Sequence, residues 1–253
     1  MSESSLKQYR YFLKDSIRQT IDFLQTDQHR GIDPPPFEKP FDSTARRIDL
    51  VAPDRWQGIA LIDLTAAIAR RQSHRRFVDA PLSVDELSFL LWATQGIRCC
   101  RDASAMFRTV PSAGARHTFE TYVCVMNVEG LEPAVYRYLP VEHQLLYEFT
   151  ELDARTQLDR AALGQSFVGQ GAITFVWTTI PYRMEWRYGL AAHKVIAVDA
   201  GHVCQNLYLA CEAIGAGTCA VAAYDQEAMD RLLRVDGQDE FTIYLAPVGK
   251  IEK

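Results

Sequence analysis

Apolar and polar positions along this chain change their period several times, and the changes mark out its elements. Through residue 30, Phe12, Ile17, Ile21, Phe23 and Leu24 interleave with Lys14, Asp15, Arg18, Asp22 and Asp27. That spacing, though imperfect, predicts one helix over the first 30 residues. Pro34-Pro35-Pro36 ends it, and Pro40 and Pro53 keep the chain extended to about residue 60. Residues 1–60 therefore read as a helix and arm that covers a groove, reaches to another subunit or hugs the surface. Residues 61–253 read as the folded domain.

Two helices follow, Leu64 to Arg71 and Ser83 to Gln95, the second opened by a capping box of Ser83 with Glu86. Strands are expected at Phe119 to Met126, Val135 to Tyr138 and Leu145 to Glu148, then a helix from Glu151 to Leu163. Ala172 to Ile180 is β-branched and apolar on both faces, as in a central strand covered on two sides. A long helix from Ala191 to Ile214 ends at Gly215-Ala216-Gly217. A strand at Thr218 to Ala222, a helix from the N-cap Asp225 to Leu233 and a strand at Phe241 to Pro247 complete the pattern.

Composition narrows the class. With 48% hydrophobic and 23% charged residues over 253 positions, the chain is long and apolar enough for an ample core. A net charge of −5 argues against nucleic acid or an anionic membrane as partner, so any positive patch is local. No run of 18 apolar residues and no basic-then-apolar leader occurs, which makes the cytoplasm the expected compartment. Cys124, Cys204, Cys211 and Cys219 fall in apolar patterns and read as core filler, whereas the polar stretch around Cys99-Cys100 reads as exposed.

Three segments carry chemistry. Arg71-x-Ser73-x-Arg75 leaves a helix end with two guanidiniums and a hydroxyl at alternate positions, a set that suits a phosphate monoester. Pro111-Ser112-Ala113-Gly114-Ala115-Arg116-His117 is a small-residue turn where a flat ring can lie near backbone, and Pro247-Val248-Gly249-Lys250 closes the last strand. No G-x-G-x-x-G follows a strand, and no P-loop, zincin or G-x-S-x-G signature occurs. A mononucleotide cofactor remains, and the three segments together look like a site for flavin mononucleotide (FMN). Asp199, His202 and Asn206 share one helical face and read as a buried hydrogen-bond network or as ligand contacts. Asn is a poor metal ligand, and no metal is expected.

In that order, and with Glu132-Pro133-Ala134-Val135-Tyr136-Arg137-Tyr138 and Asp199-Ala200-Gly201-His202 with Gln205-Asn206-Leu207-Tyr208, these segments resemble the nitroreductase superfamily. Within it they are similar to the SagB-type dehydrogenase branch related to thiazoline and oxazoline oxidases. The resemblance runs from about Tyr9 to Lys250. It implies an α+β fold with a central, mostly antiparallel sheet flanked by helices, and a homodimer with FMN sites at the interface. It puts Arg71, Ser73 and Arg75 on the phosphate and ribityl chain, with Lys250 a further cation nearby and Gly249 beside it. Pro111, Ser112, Ala113 and Gly114 then pack on the isoalloxazine from the other subunit. Val221, Ala222 and Ala223 pass the ring edge, with backbone N–H groups of Ala222 and Ala223 offered to N5, and Gln165 is a polar ring contact.

The function so implied is an FMN-dependent oxidoreductase of nitroreductase type. Ping-pong hydride transfer runs from NAD(P)H to a small acceptor such as a nitroaromatic or quinone. Arg116, Tyr188, His193 and Lys194 are the candidate substrate contacts, and no catalytic side chain is required. One alternative is a SagB-type flavin dehydrogenase or oxidase acting on azoline heterocycles of modified peptides. Another is a non-catalytic flavin-binding partner subunit. Thr118 after His117, where the family often carries proline, implies a different turn geometry. His193-Lys194 before the Asp199-Ala200-Gly201-His202 segment, and the presence of only about 60 residues ahead of the core, favour small molecules over peptides.

Overall fold

The most strand-like run forms β7 (Ile173–Thr179), buried along its whole length between β4 (Phe119–Val125) and β9 (Phe241–Lys250). The computed structural model describes residues 3–102 and 105–252. From β4 the sheet runs on through β5 (Ala134–Leu139) and β6 (Gln144–Phe149) to β1 (Arg47–Asp49). From β9 it ends at β8 (Ala216–Thr218), and every neighbouring pair of the seven strands is antiparallel. A separate hairpin joins β2 (Ile97–Asp102) to β3 (Ala105–Arg108).

Side chains alternate across the pleat and so build two cores. Val123, Val125, Phe175, Trp177 and Val248 face one way, against α3 (Val84–Gln95) and the long α7 (Ala192–Ala213). Tyr122, Cys124, Val176 and Leu245 face the other way, against α4 (Ala154–Ala161), α5 (Phe167–Gln170) and α8 (Gln226–Leu233). The α+β architecture with a flanked antiparallel sheet is therefore as expected. The capping box at Ser83 is present, with Glu86 N–H donating to Ser83 Oγ and Ser83 N–H to Glu86 Oε2.

Other expectations need correction. The long N-terminal helix is α1 (Glu3–Leu13) followed by 3₁₀ turns at Ser16–Thr20 and Phe23–Gln25, while Met1 and Ser2 lie outside the described residues. Asp22 caps Leu24 N–H and starts a new turn, and α1 buries nothing that would extend it. Beyond Gly215 (φ +61°) the chain enters β8 at once. The strand expected at Thr218 to Ala222 therefore starts two residues earlier and ends four residues earlier, leaving a bridge from Val221 to Leu245. Helix α6 (Tyr182–Tyr188) went unforeseen because its seven residues bury only three side chains.

The arm is stitched to the domain at several points. Trp56 meets Phe89 and Trp92 edge-on at 5.2 and 5.1 Å, β1 pairs with β6, and Ala60 N–H bonds Ala213 O. Around residues 37–40 it closes a buried ionic cluster. Lys39 N–H donates to Glu120 Oε1 at 2.7 Å, Arg137 donates to Lys39 O, and Arg108 donates to Phe37 O. Glu120 itself holds Arg183 of α6 at 2.5 Å and Arg137 at 3.3 Å, all three side chains almost wholly buried.

Beside this cluster, burial first and Glu142 second raise the Glu38 carboxyl from 4.5 to about 7. The folded state then keeps a proton that the unfolded chain has released, so stability falls as pH rises from about 4.5 to about 7. Urea midpoints at pH 5 and 8 should show this decline, and Glu38→Gln should flatten it.

Candidate functional site

The helix α2 (Leu64–Arg70) begins at Asp63, whose carboxylate accepts from Ala66 N–H, and stops at Arg71, where the chain turns extended. This exit lays residues 71–77 across the end of the sheet. His74 N–H donates to Thr218 O at 2.9 Å, and Ser73 bridges Thr218 in parallel. The approach is close because Gly217 and Gly249, opposite one another in the ladder, lack side chains. A Cβ on Gly217 would stand 2.6 Å from His74 Cβ, and one on Gly249 would stand 2.9 Å from Phe77 Cβ. Gly249 is buried, and its missing side chain leaves room for Phe77.

Arg71, Ser73 and Arg75 leave this ledge on the accessible side. Arg71 lies over the Tyr208 ring at 5.2 Å and Arg75 over the Phe167 ring at 5.7 Å, and neither has a carboxylate partner among the described residues. Ser73 Oγ is 2.9 Å from Tyr208 Oη, and Tyr208 Oη accepts from Ala220 N–H at 2.8 Å. One hydroxyl thus joins the Arg71–Arg75 segment to the loop after β8. In that loop Ala222 and Ala223 are exposed, and Gln165 Nε2 donates to Ala223 O at 2.8 Å. Val221 differs from expectation: it is buried, and its N–H is spent on Leu245 O. Lys250 differs too. Its ammonium is held by Glu86 Oε1 and Ile214 O, sealing the start of α3 to the end of α7 instead of joining the two arginines.

The second segment is a strained turn. Gly114, Ala115 and His117 take φ of +58°, +54° and +44°, a conformation costly for residues with a Cβ. Asp199 on α7 holds the turn by accepting from Ala113 N–H at 3.2 Å, and Ser112 Oγ accepts from His117 N–H at 3.0 Å. Burial raises the Asp199 pKa, against the Ser112 hydroxyl and Ala113 N–H that lower it. Asn206 Nδ2 donates to Ala93 O and so ties α7 to α3, while Asp199 on the same face holds the turn. Pro111 and Gly114 are exposed and Ser112 and Ala113 half-buried.

The four candidate substrate contacts separate. Tyr188 borders the turn, since a Cβ on Gly114 would stand 2.7 Å from its Oη. Arg116 is a correction: it is 3% exposed with its guanidinium over Trp186 at 5.0 Å. His193 bonds Glu185 at 2.8 Å in an exposed pair, and half-buried Lys194 follows it on α7. Sequence reasoning missed the joining role of Tyr208, although it quoted that residue. The signal was available, because a tyrosine hydroxyl amid apolar positions needs a partner.

A profile described as the nitroreductase family matches residues 68–250, a span that contains the phosphate-suited ledge, the strained turn and the last strand. The chain belongs to the nitroreductase family. It is 33% identical over 189 residues to a candidate nitroreductase of Methanocaldococcus jannaschii, covering 75% of this chain and 91% of that one. A crystal structure of a candidate nitroreductase from Ralstonia eutropha superposes with a TM-score of 0.68 at 27% identity, covering 87% of this chain and 95% of the other. The trifolitoxin-processing protein TfxB of Rhizobium leguminosarum is 26% identical over 163 residues, which is 61% of this chain but only 44% of that relative. Among the described residues no helix of this nitroreductase-family chain is long and apolar enough to cross a membrane.

Proposed function

We propose that this protein is an FMN-dependent oxidoreductase that passes a hydride from NAD(P)H to a small acceptor in ping-pong fashion, as a homodimer. The observation that carries the reading is the donor set on the ledge. Two guanidiniums stand on aromatic faces without a carboxylate partner among the described residues, with a serine hydroxyl between them. That set fits a phosphate dianion, which accepts several charge-assisted hydrogen bonds. FMN bound there supplies a ring that takes up and gives back a hydride.

The chain's own residues then bind and orient. Arg71 and Arg75 hold the phosphate charge and Ser73 donates to it. Tyr208 keeps that segment in register with the loop carrying Ala222 and Ala223, whose N–H groups are offered at the ring edge. In the homodimer the Pro111–Gly114 turn meets the cofactor held by the other protomer. Its small side chains leave a face open, and its strained backbone, pinned by Asp199, keeps the turn from collapsing onto it. Gln165 acts through the loop, by bonding Ala223 O. The relatives named as candidate nitroreductases support a reductase reading.

The similarity to the trifolitoxin-processing protein favours a second reading, a flavin dehydrogenase acting on azolines of modified peptides. The visible spectrum of the purified protein separates them. Flavin bands that bleach on anaerobic NADPH or NADH support the reductase, and bands that persist support the azoline enzyme. A colourless protein that refuses added FMN sinks both.

A further inference from the structure

Behind the strained turn lies a cavity of about 760 Å³, a size suited to a small organic ligand. Its described lining residues include Arg98, Arg108 and Arg187, with Gln28, His117 and Trp186, and no aspartate or glutamate. Arg187 lies against the turn itself, since a Cβ on Gly114 would stand 2.9 Å from its Nε. Neither Arg98 nor Arg187 has a hydrogen-bonded acceptor among the described residues; Arg187 only covers the Tyr188 ring at 5.5 Å.

Arg108 is the informative member. It is 4% exposed, donates to Gln95 Oε1 and Phe37 O at 2.8 Å, and keeps a buried Nε with no partner among the described residues. Both of its acceptors are neutral. Of the carboxylates that act on it, Glu120 is already shared by Arg183 and Arg137, and Glu38, raised by burial to about 7, is only partly ionised at neutral pH. Neither is an ion-pair partner of Arg108 among the described residues. Burial and then the Arg183 charge bring the Arg108 pKa down to about 10, and burial followed by the Arg108 charge brings His117 down to about 2. A buried cation whose partners are neutral is costly, and an arriving anion relieves that cost. A vestibule for water alone would leave the excess charge in place.

We propose that this cavity binds the anionic group of an organic ligand, a carboxylate or a phosphate, with Arg187 and Arg98 meeting it at the mouth and Arg108 at the wall. That it does so for the acceptor or the hydride donor of the reaction rests on the flavin reading above. The anion comes either from an acidic acceptor or from the phosphate of a nicotinamide cofactor, and the two are separable.

Isothermal titration of the full-length protein with benzoate, benzamide and adenosine 2′-phosphate tests the cavity without turnover. Benzoate should bind at least about 10-fold more tightly than benzamide, the size of one charge-assisted hydrogen bond. Arg187→Gln should abolish that preference and Arg187→Lys retain most of it. Arg98→Gln, at an exposed hairpin position, repeats the test if the first variant folds poorly. Tight adenosine 2′-phosphate with indifferent benzoate assigns the anion to the nicotinamide cofactor. Equal binding of benzoate and benzamide, with no binding of the nucleotide, overturns the proposal. A protein that refuses FMN yet prefers benzoate keeps the anion cavity and sinks the flavin reading, so the two failures are distinct.

Discussion

Arg71→Ala should weaken FMN binding about 10- to 100-fold, because one hydrogen bond between charged groups contributes about 1.5–3 kcal/mol. Thermal unfolding should stay within about 2 °C of wild type, as for surface changes that remove no buried partner. The two effects separate because the Arg71 side chain forms no ion pair among the described residues and lies over the Tyr208 ring, while its backbone bond to Ala67 O survives the substitution. Arg71→Lys should recover part of the affinity, since it restores the charge but not the planar fork. Flavin fluorescence quenching on titration reads the affinity, and a melting curve of the apoprotein reads the fold. Unchanged affinity would remove the ledge from the cofactor site.

Glu120→Ala should cost about 3–5 kcal/mol of folding stability, the largest loss expected from any single polar change, because it strands buried guanidiniums. Arg183 and Arg137 both lose their shared carboxylate, and Lys39 N–H loses its acceptor. Burial alone would raise the Glu120 pKa, but Arg183 and then Arg137 outweigh it and hold the carboxyl below its ordinary value. Its contribution is therefore present above the unfolded value and is lost as pH falls through the lower folded one. The loss should reach the site, since Arg183 sits on α6 with Arg187 and Tyr188, next to the strained turn. Urea unfolding at pH 7 measures the first effect. The change in benzoate affinity of the folded fraction measures the second. A ΔΔG below about 1 kcal/mol would show that the arm and strands hold without this cluster.

Much of the fold is legible in local patterns. The run at 173–179 is apolar on both faces and became the central β7, and Ser83 with Glu86 became a capping box as written. The long helix is found within a residue at each end because its apolar faces and the glycine at 215 both mark it. Elements that failed have weak local signals. The short β1 forms only because β6 offers it an edge, and α6 is placed by Glu120 gripping Arg183 across 63 residues. Site residues divide in the same way. Arg71, Ser73 and Arg75 stand together because their alternate spacing in extended backbone projects them to one side, which is a local rule. Lys250, Val221 and Arg116 went elsewhere because partners far along the chain claimed them, namely Glu86, Leu245 and Trp186.

The sequence by itself determined the family, the α+β order of elements and the phosphate-suited segment, since each rests on neighbours within a few residues. Only the tertiary structure decided which charges are spent and which stay available. It turned Lys250 inward, joined Ser73 to Ala220 through Tyr208, and gathered Arg98, Arg108 and Arg187 around one cavity with no acidic side chain in its described lining. The physical reason is range. Periodicity and capping act over a turn or a strand, whereas the pairing of a buried charge depends on whichever distant group the fold brings within hydrogen-bond reach.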